Sequence, residues 1–340
     1  MKHTRLIIAI IAICNLFLCN AQSTTCDMPN EKKIVLAYVT SWSSIIPDPT
    51  YLTHINYAFG HVNETFDGVR VDNEERLKQI VALRKDKPSL KVFLSIGGWE
   101  SGRFSEMAAE ERTRESFAKD CKRVVDEFGL DGIDIDWEYP TSDLAGISSS
   151  PADKDNFTLL MRDIRKEIGE GKLLTLATAA SAEFIDFRGI DPYIDYVNIM
   201  TYDMGNPPYH HSGLYRSEYT RKISVDEAVM AHMNAGISFN KLVMGIPFYG
   251  RGNDKVKNFS DYKNLVNLTG FEKKWDDAAK APYLVDEKGE YACGYDDPRS
   301  IAIKCEYILE KGMLGAMYWD YDGDDTEGTL RKAVYNGLNK

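Results

Sequence analysis

The sequence has no long apolar run after Leu18 and no excess of positive charge. It contains 41 Lys or Arg residues and 52 Asp or Glu residues, which gives a formal net charge of −11. A chain this acidic is repelled by the phosphate backbone of nucleic acids. The composition therefore argues against nucleic-acid binding and favours a neutral ligand. It also predicts no membrane span in the body of the chain.

Cysteine and histidine are scarce, and their spacing does not match that of a metal site. His210 and His211 are adjacent, and neighbours in sequence rarely share a metal ion. We therefore predict no metal centre and no cofactor. Four of the six cysteines lie beyond Ala21, at Cys26, Cys121, Cys293 and Cys305. In an exported protein they could form disulfides, and the sequence does not choose among the three possible pairings.

The N-terminus has the pattern of a secretory signal peptide. Basic residues precede an apolar run from Leu6 to Leu18, and Ala21 offers a small residue for cleavage. The run is shorter than the roughly 20 residues that span a bilayer. We predict a signal peptide over residues 1–21 and a secreted or periplasmic protein. A lipid anchor at Cys19 and an uncleaved membrane anchor are the less favoured alternatives.

Short β-rich runs alternate with helical patterns along the rest of the chain. The predicted strands lie near Ile34–Tyr38, His54–Phe59, Lys91–Ile96, Gly132–Trp137, Leu173–Thr178, Tyr196–Thr201, Leu242–Ile246 and Gly315–Tyr318. The predicted helices cover Glu74–Arg84, Ser105–Glu127, Ala152–Ile168, Val225–Ala235, Pro298–Leu309 and Thr329–Leu338. This alternation favours the α/β class and a (β/α)8 TIM barrel over residues 30–340. An open doubly wound sheet is the alternative, but no Gly-rich phosphate loop follows the first strand.

The stretch between the seventh and eighth predicted strands is longer than an ordinary barrel loop. Aromatic residues within it could form a small core. They are Phe259, Tyr262, Phe271, Trp275 and Tyr283. We predict a compact insertion subdomain over about 252–297 that forms one wall of a cleft. A long solvated loop is the alternative.

Residues 131–140, Asp-Gly-Ile-Asp-Ile-Asp-Trp-Glu-Tyr-Pro, give the strongest functional signal. Alternate side chains of a strand share a face, so Asp134, Asp136 and Glu138 point one way, about 6.5 Å apart. Carboxylates this close cannot all ionise cheaply, so one can keep a proton at neutral pH. A solvated face or a cation site is the alternative. The position at the C-terminal end of a strand argues against both. Asp131 is out of phase and is expected to be structural.

Aromatic and polar residues cluster at the predicted C-terminal ends of the other strands, where a barrel carries its active site. The apolar faces of pyranose rings pack on aromatic rings, and sugar hydroxyls form hydrogen bonds with polar neighbours. As a set, these residues indicate a carbohydrate ligand. They are Tyr38, Trp42, Tyr57, Phe59, Trp99, Tyr139, Tyr202, Asp203, Tyr249, Arg251, Trp319 and Asp320.

With these motifs the sequence resembles glycoside hydrolase family 18, the chitinase-type barrel enzymes, from Ile34 to about Leu330. The acidic series matches the family's signature, and Ser95-Ile96-Gly97-Gly98 matches its third-strand motif. Met200-Thr201-Tyr202-Asp203 matches the sixth-strand motif, and the run from Gly245 to Arg251 matches the seventh. Trp319 matches the aromatic residue that ends the eighth strand.

The resemblance implies a retaining mechanism in which the substrate itself supplies the nucleophile. Glu138 would protonate the glycosidic oxygen and later activate water. Asp136 would orient the acetamido group of the sugar, and Asp134 would share a proton with Asp136. Tyr202 would form a hydrogen bond with the acetamido oxygen, and Trp319 would form the floor of the subsite. The other substrate-binding residues it implies are Tyr38, Phe59, Gly97, Gly98, Trp99, Tyr139, Met200, Asp203, Tyr249 and Arg251.

We therefore expect a monomeric chitinase that cleaves β-1,4 bonds between N-acetylglucosamine units in a carbohydrate polymer or oligosaccharide. An endo-β-N-acetylglucosaminidase acting on N-glycan cores and a non-catalytic chitin-binding lectin are the alternatives. Trp137 favours the chitinase over the former, and the presence of Glu138 argues against the lectin. Two features depart from the family pattern. Glu100 stands where many relatives carry Asn, and the short insertion implies a shallow cleft that favours internal cleavage.

Overall fold

The computed structural model describes residues 33–340. The predicted signal peptide and Cys26 lie outside these residues. Within the described part of the chain, no helix combines the length and apolar character needed to cross a bilayer.

Eight parallel strands close into a barrel, so the predicted (β/α)8 fold is confirmed. The strands of the described residues are β1 (Ile34–Thr40), β2 (His54–Val62), β3 (Val69–Val71), β4 (Lys91–Gly97), β5 (Gly132–Asp136), β6 (Leu173–Ala179), β7 (Tyr196–Met200), β8 (Leu242–Pro247), β9 (Tyr249–Gly252), β10 (Ser260–Asp261), β11 (Glu272–Asp276), β12 (Ala281–Val285), β13 (Tyr291–Gly294) and β14 (Gly315–Trp319). The barrel order is β1-β2-β4-β5-β6-β7-β8-β14, and β14 pairs with β1 to close it. Strand β3 extends the sheet as an antiparallel neighbour of β2.

Helices follow most barrel strands and cover the outside of the barrel. They are α1 (Glu74–Ala82), α2 (Phe104–Ala109), α3 (Glu111–Phe128), α4 (Asp153–Ile168), α5 (Phe187–Ile190), α6 (Val225–Ala235), α7 (Tyr262–Leu265), α8 (Pro298–Lys311) and α9 (Thr329–Leu338). Short 3-10 turns cover Pro49–Tyr51, Leu83–Lys85, Phe239–Lys241 and Tyr321–Gly323. Helix α6 begins with a capping box between Ser224 and Glu227, a pairing that satisfies backbone N–H groups at the helix start.

The single helix predicted over Ser105–Glu127 is wrong, because two helices meet at Glu110. The backbone of Glu110 is extended, with φ −110° and ψ 138°. Side chains of the second helix satisfy carbonyls released at the end of the first. The Thr113 hydroxyl donates to the Met107 carbonyl at 2.7 Å, and the Arg114 guanidinium donates to the Ala108 carbonyl at 2.7 Å. These bonds stabilise a break that apolar periodicity alone does not reveal.

Strand alternation gives the barrel an outer and an inner layer of buried side chains. On β5, Ile133 and Ile135 belong to the large core between the strands and the helices. Trp137 belongs to the same core and stacks on Phe104, with ring centroids 5.3 Å apart. Inside the barrel, apolar side chains share the space with polar ones that are completely buried, among them Asp134. Asp134 and Asp136 therefore lie in the interior of the barrel, away from bulk water.

The segment between β8 and α8 folds largely as a five-stranded antiparallel sheet with the order β10-β9-β13-β12-β11. His210, in the loop after β7, connects the barrel to this small sheet. Its Nε2 lies 3.1 Å from Asp276 Oδ2, and its Nδ1 lies 2.9 Å from the Tyr291 hydroxyl. Tyr291 also stacks on Tyr283 with centroids 5.0 Å apart. These contacts fix the small sheet against the loop that carries Tyr202 and Asp203.

Cys121, Cys293 and Cys305 are buried free thiols. None of the pairings possible among these three residues forms. Burial raises the pKa of the Cys293 and Cys305 thiols to about 12, so they remain protonated. In the described residues, cysteine therefore contributes to packing.

Candidate active site

Asp134 is the centre of a hydrogen-bond network inside the barrel. Its Oδ2 accepts from the Tyr38 hydroxyl at 2.9 Å and from the Ser95 hydroxyl at 2.8 Å. Its Oδ1 accepts from the Thr175 hydroxyl at 2.6 Å and from the Asn198 amide at 3.1 Å. Burial raises the pKa of Asp134, and the four hydrogen bonds act in the opposite direction because they stabilise the carboxylate. The network fixes the orientation of the carboxyl group.

Asp136 is also buried but is poorly paired. Among the described residues, its Oδ1 has no hydrogen-bond partner. Burial raises its pKa well above the usual range, and the negative charges of Glu138 and Asp134 raise it further. Burial and the neighbouring charges therefore favour the protonated form of Asp136, and its Oδ1 is free to bind a ligand.

Glu138 lies two residues beyond Asp136, just after β5 ends. Burial raises its pKa to about 7; a hydrogen bond with Tyr139 lowers it, and the charge of Asp203 raises it. A carboxyl group with a pKa near neutrality is protonated in part of the molecules and can both donate and accept a proton. Its environment gives Glu138 the properties of a general acid and base.

Glycines on β4 allow the strand and its loop to approach these acids closely. A Cβ on Gly97 would come within 2.0 Å of the Asp136 carbonyl oxygen, and the φ of Gly97 is +127°. The amide of Gly98 donates to the same carbonyl at 2.8 Å. A Cβ on Gly98 would collide with the Phe59 ring at 2.7 Å. Only glycine fits both positions.

Asp203 follows Tyr202 in the loop after β7 and forms a fixed anion. Its Oδ1 accepts from the Tyr249 hydroxyl at 2.7 Å and from Arg251 Nε at 2.6 Å. His211 Nδ1 lies 3.6 Å from the same oxygen. Burial raises the pKa of Asp203, but bonds and charges from His211 and Arg251 outweigh it and lower the pKa below the usual range. Asp203 is ionised whenever the protein is folded near neutral pH.

A cleft of about 770 Å³ opens over these groups. The predicted site residues that line it are Tyr38, Phe59, Trp99, Asp136, Glu138, Tyr139, Met200, Tyr202, Asp203, Tyr249, Arg251 and Trp319. Asp134, Gly97 and Gly98 do not line it and support it from beneath. Two other strand-end residues, Tyr57 and Asp320, also lie outside the lining. The Tyr57 hydroxyl donates to the Asp72 carbonyl at 2.8 Å, and Asp320 caps a 3-10 turn.

Aromatic rings form the floor and walls of the cleft. Trp319 stacks on Phe59 with centroids 5.7 Å apart and an interplanar angle of 20°. Tyr139 stacks on Phe184 at 4.8 Å. Trp42 and Trp99 are 67% and 55% exposed, so their indole faces are available to a ligand. The cleft therefore offers several flat apolar surfaces beside a few charged groups, a combination that suits sugar rings.

Two acids singled out by the sequence lie apart from Asp136 and Glu138. Asp131 precedes β5 and forms ion pairs with Arg84 and with Lys91, the latter at 3.1 Å. It serves as a structural anchor at the N-terminal end of the strand.

Glu100 lines a neighbouring cavity of about 410 Å³, which also includes Trp99. The departure from the family pattern at this position therefore lies beside the main cleft. Among residues 33–340, no cluster of three or more His, Cys, Asp or Glu residues is suited to hold a metal ion.

Sequence reasoning missed several residues that hold the site together. Thr175 and Asn198 bind Asp134 from β6 and β7, and Thr175 lies directly opposite Asp134 in the strand register. The sequence presents His211 only as a possible metal ligand, yet its Nδ1 lies 3.6 Å from Asp203 Oδ1. Phe184 lies in a loop and gave no signal of its own. Counting inward positions at the level of Asp134 would have found Thr175.

Comparison with known proteins places these features in a family. The model of Glycosyl hydrolases family 18 matches residues 34–324. The chain is 33% identical to the Endochitinase of Manduca sexta over 81% of this chain and 59% of that protein. It is 30% identical to Chitinase A1 of Niallia circulans over 89% of this chain and 58% of that protein. The chain thus spans less than two thirds of the length of these two relatives.

Solved structures show the same fold over most of the described chain. A family 18 N-acetylglucosaminidase from Paenibacillus barengoltzii aligns with a TM-score of 0.82 at 35% identity, covering 90% of this chain and 100% of that chain. Chitinase ChiW from Paenibacillus sp. aligns with a TM-score of 0.84 at 31% identity, covering 90% of this chain and 43% of that chain.

Proposed function

The chain belongs to glycoside hydrolase family 18, and from this premise we propose that it is a chitinase that hydrolyses β-1,4 bonds between N-acetylglucosamine units. The observation that carries the proposal is that Glu138 and Asp136 lie together in the aromatic cleft. Glu138 has a pKa of about 7, and Asp136 presents an unpaired buried oxygen. These are the groups that a substrate with an acetamido side chain requires.

In the proposed mechanism, Glu138 donates its proton to the glycosidic oxygen as the bond to the anomeric carbon breaks. The carbonyl oxygen of the sugar's own acetamido group attacks that carbon from the opposite face and closes a ring. Asp136 accepts a hydrogen bond from the acetamido N–H and stabilises the positive charge of this ring. Glu138, now a carboxylate, takes a proton from the water that opens the ring, and the product keeps the β configuration.

Asp134 serves in this proposal to control the protonation of Asp136. Four hydrogen bonds stabilise the Asp134 carboxylate, whereas Oδ1 of Asp136 receives none from the described residues. A proton shared between the two acids therefore lies mainly on Asp136 in the free enzyme. When positive charge forms on the substrate, the anionic form of Asp136 is favoured, and Asp134 can take up that proton.

We also propose that residues 30–340 form the catalytic domain, with the insertion at about 252–297 as one wall of the cleft. Asn258 and Phe259, which lie in this range, line the cleft beside Arg251. Export of the protein to the periplasm or the medium is proposed from the pattern of residues 1–21. It fits a substrate that is a polymer outside the cell.

A second candidate function is an N-acetylglucosaminidase that releases single sugars. It is favoured by the Paenibacillus barengoltzii relative of that description, which this chain matches over 100% of the relative's length. Both activities use the same acids, so they differ only in how the cleft places the chain ends.

The purified protein should be incubated with chitohexaose and, separately, with an N-glycosylated protein, and the products read by mass spectrometry. A chitinase gives chitooligosaccharides of two to four units, whereas release of single sugars alone supports the second candidate. Released N-glycans with intact chitohexaose would contradict both proposals.

Glu138→Gln removes the proton donor with little change in volume and should abolish turnover. Asp131→Asn, an acid in the same segment outside the cleft, is the matched control.

A further inference from the structure

A lysine that the proposed mechanism does not use is completely buried beneath the loop after β7. Lys304, in α8, has its Nζ 2.6 Å from Asp296 Oδ2, and both side chains have 0% exposure. The Ser300 hydroxyl donates to the other oxygen of Asp296 at 2.6 Å. Burial lowers the pKa of Lys304, and the charge of Asp296 acts against this. A buried ion pair gives little net stability compared with apolar packing. The contacts of Lys304 with neighbouring groups therefore indicate a role other than stability.

The ammonium group of Lys304 also donates to Ser212 Oγ at 2.7 Å. An ammonium group has only donors, so the Ser212 hydroxyl accepts this bond and its own hydrogen is left to donate elsewhere. It donates to the carbonyl oxygen of Thr201 at 2.8 Å. Lys304, Ser212 and the Thr201 carbonyl therefore form a chain of hydrogen bonds. The charge of Lys304 strengthens the hydrogen bond that Ser212 donates to Thr201.

The Thr201 carbonyl belongs to the peptide unit that leads directly into Tyr202. The Thr201 side chain holds the same unit from another side, because its hydroxyl donates to the Gly245 carbonyl at 2.6 Å. The ring of Tyr202 packs against Gly245, and within residues 33–340 its hydroxyl has one weak partner, the sulfur of Met317 at 3.9 Å. The direction of the Tyr202 hydroxyl therefore depends on how this peptide unit is held.

We propose that Ser212, oriented by the buried Lys304, is a positioning residue that aims Tyr202 at the acetamido group of the substrate. This inference rests on the proposed function, which assigns Tyr202 to that group. Ser212 and Lys304 do not contact the substrate. Their effect reaches the reaction through the peptide unit between Thr201 and Tyr202.

The test is a double-mutant cycle between Ser212→Ala and Tyr202→Phe, measured as kcat and KM on chitotetraose. Ser212→Ala removes one hydrogen bond and should lower kcat about 3- to 10-fold while KM stays within about 2-fold. In the Tyr202→Phe background the same change should lower kcat less than about 1.5-fold, since there is no hydroxyl left to aim. Ser212→Thr keeps the hydroxyl and should restore most of the lost kcat. Melting temperature is recorded for each variant.

An equal loss from Ser212→Ala in both backgrounds would overturn the inference, because the effect would then not pass through Tyr202. A rise in KM with unchanged kcat would do the same. If the wild-type protein instead cleaves a different N-acetylglucosaminide, the proposed function is wrong. The cycle, run on that other substrate, still decides the role of Ser212.

Lys304 is tested with the pair Lys304→Met and Asp296→Asn, which removes both buried charges together. The pair should lower kcat as Ser212→Ala does, and adding Ser212→Ala should cause no further loss. An unchanged kcat in the folded double variant would show that Lys304 does not orient Ser212. If the double variant does not fold, Lys304→Arg takes its place. The same double-mutant cycle with Ser212→Ala then tests whether Lys304 orients Ser212.

Discussion

The pH dependence of the reaction should respond to Asp203, even though this residue is not a proton donor to the substrate. Burial raises the pKa of Glu138 to about 7, and the negative charge of Asp203 contributes to the rise. Tyr249 and Arg251 hold Asp203 as a carboxylate. Replacing it by Asn removes the charge with little change in shape, so the pKa of Glu138 should fall.

The size of the shift follows from Coulomb's law. Two unit charges on the order of 10 Å apart interact by about 1.7 kcal/mol at an effective dielectric of ~20. This energy corresponds to about one pKa unit. Counter-ions in an open cleft reduce it, so we expect a shift of about 0.5 to 1 unit. Burial is the larger cause, so most of the elevation of the Glu138 pKa remains in the variant.

The assay is the pH profile of kcat/KM, which reports the pKa values of the free enzyme. Glu138 must be protonated to donate, so activity falls as pH rises through its pKa. Asp203→Asn should therefore move the basic limb to lower pH. Arg251→Met, which leaves the charge of Asp203 less compensated, should move it to higher pH. A basic limb that stays in place or moves upward in Asp203→Asn would refute the reasoning.

Other parts of the site give further predictions. Trp319→Ala removes the ring stacked on Phe59 and should lower kcat/KM by about 30-fold or more, from roughly 2 kcal/mol of lost contact; an unchanged value would show that the ring does not bind substrate. Asp131→Asn weakens the ion pairs with Arg84 and Lys91 and should lower the melting temperature by a few degrees with kcat unchanged. Alkylation followed by peptide mapping should label Cys121, Cys293 and Cys305 only after unfolding, because all three are buried thiols.

The sequence predicted the barrel well because each strand is a short β-rich run between clear helices or turns. All eight predicted runs overlap observed barrel strands, and the helix bounds Val225–Ala235 and Thr329–Leu338 agree with the structure. The break at Glu110 was missed because it depends on Thr113 and Arg114, whose bonds to released carbonyls form only in the folded chain. Apolar periodicity does not report such bonds.

The acids of the site were visible in the sequence because they follow one another on one strand. Two partners of Asp134 were not visible, because Thr175 and Asn198 lie on two other strands and reach Asp134 only through the strand register. The relation between Ser212 and Lys304 spans 92 residues and joins a loop to a helix. Local pattern therefore indicates which groups perform chemistry, while the groups that orient them come from tertiary packing.

In the proposed mechanism, the substrate's own acetamido group forms the bond to the anomeric carbon while Glu138 donates the proton. Partially acetylated chitosan tests it most directly, because the sugar that reacts becomes the new reducing end of the product. Digestion followed by mass spectrometry of end-labelled products should show N-acetylglucosamine at essentially every new reducing end. New reducing ends that carry glucosamine as often as the starting polymer does would contradict the account.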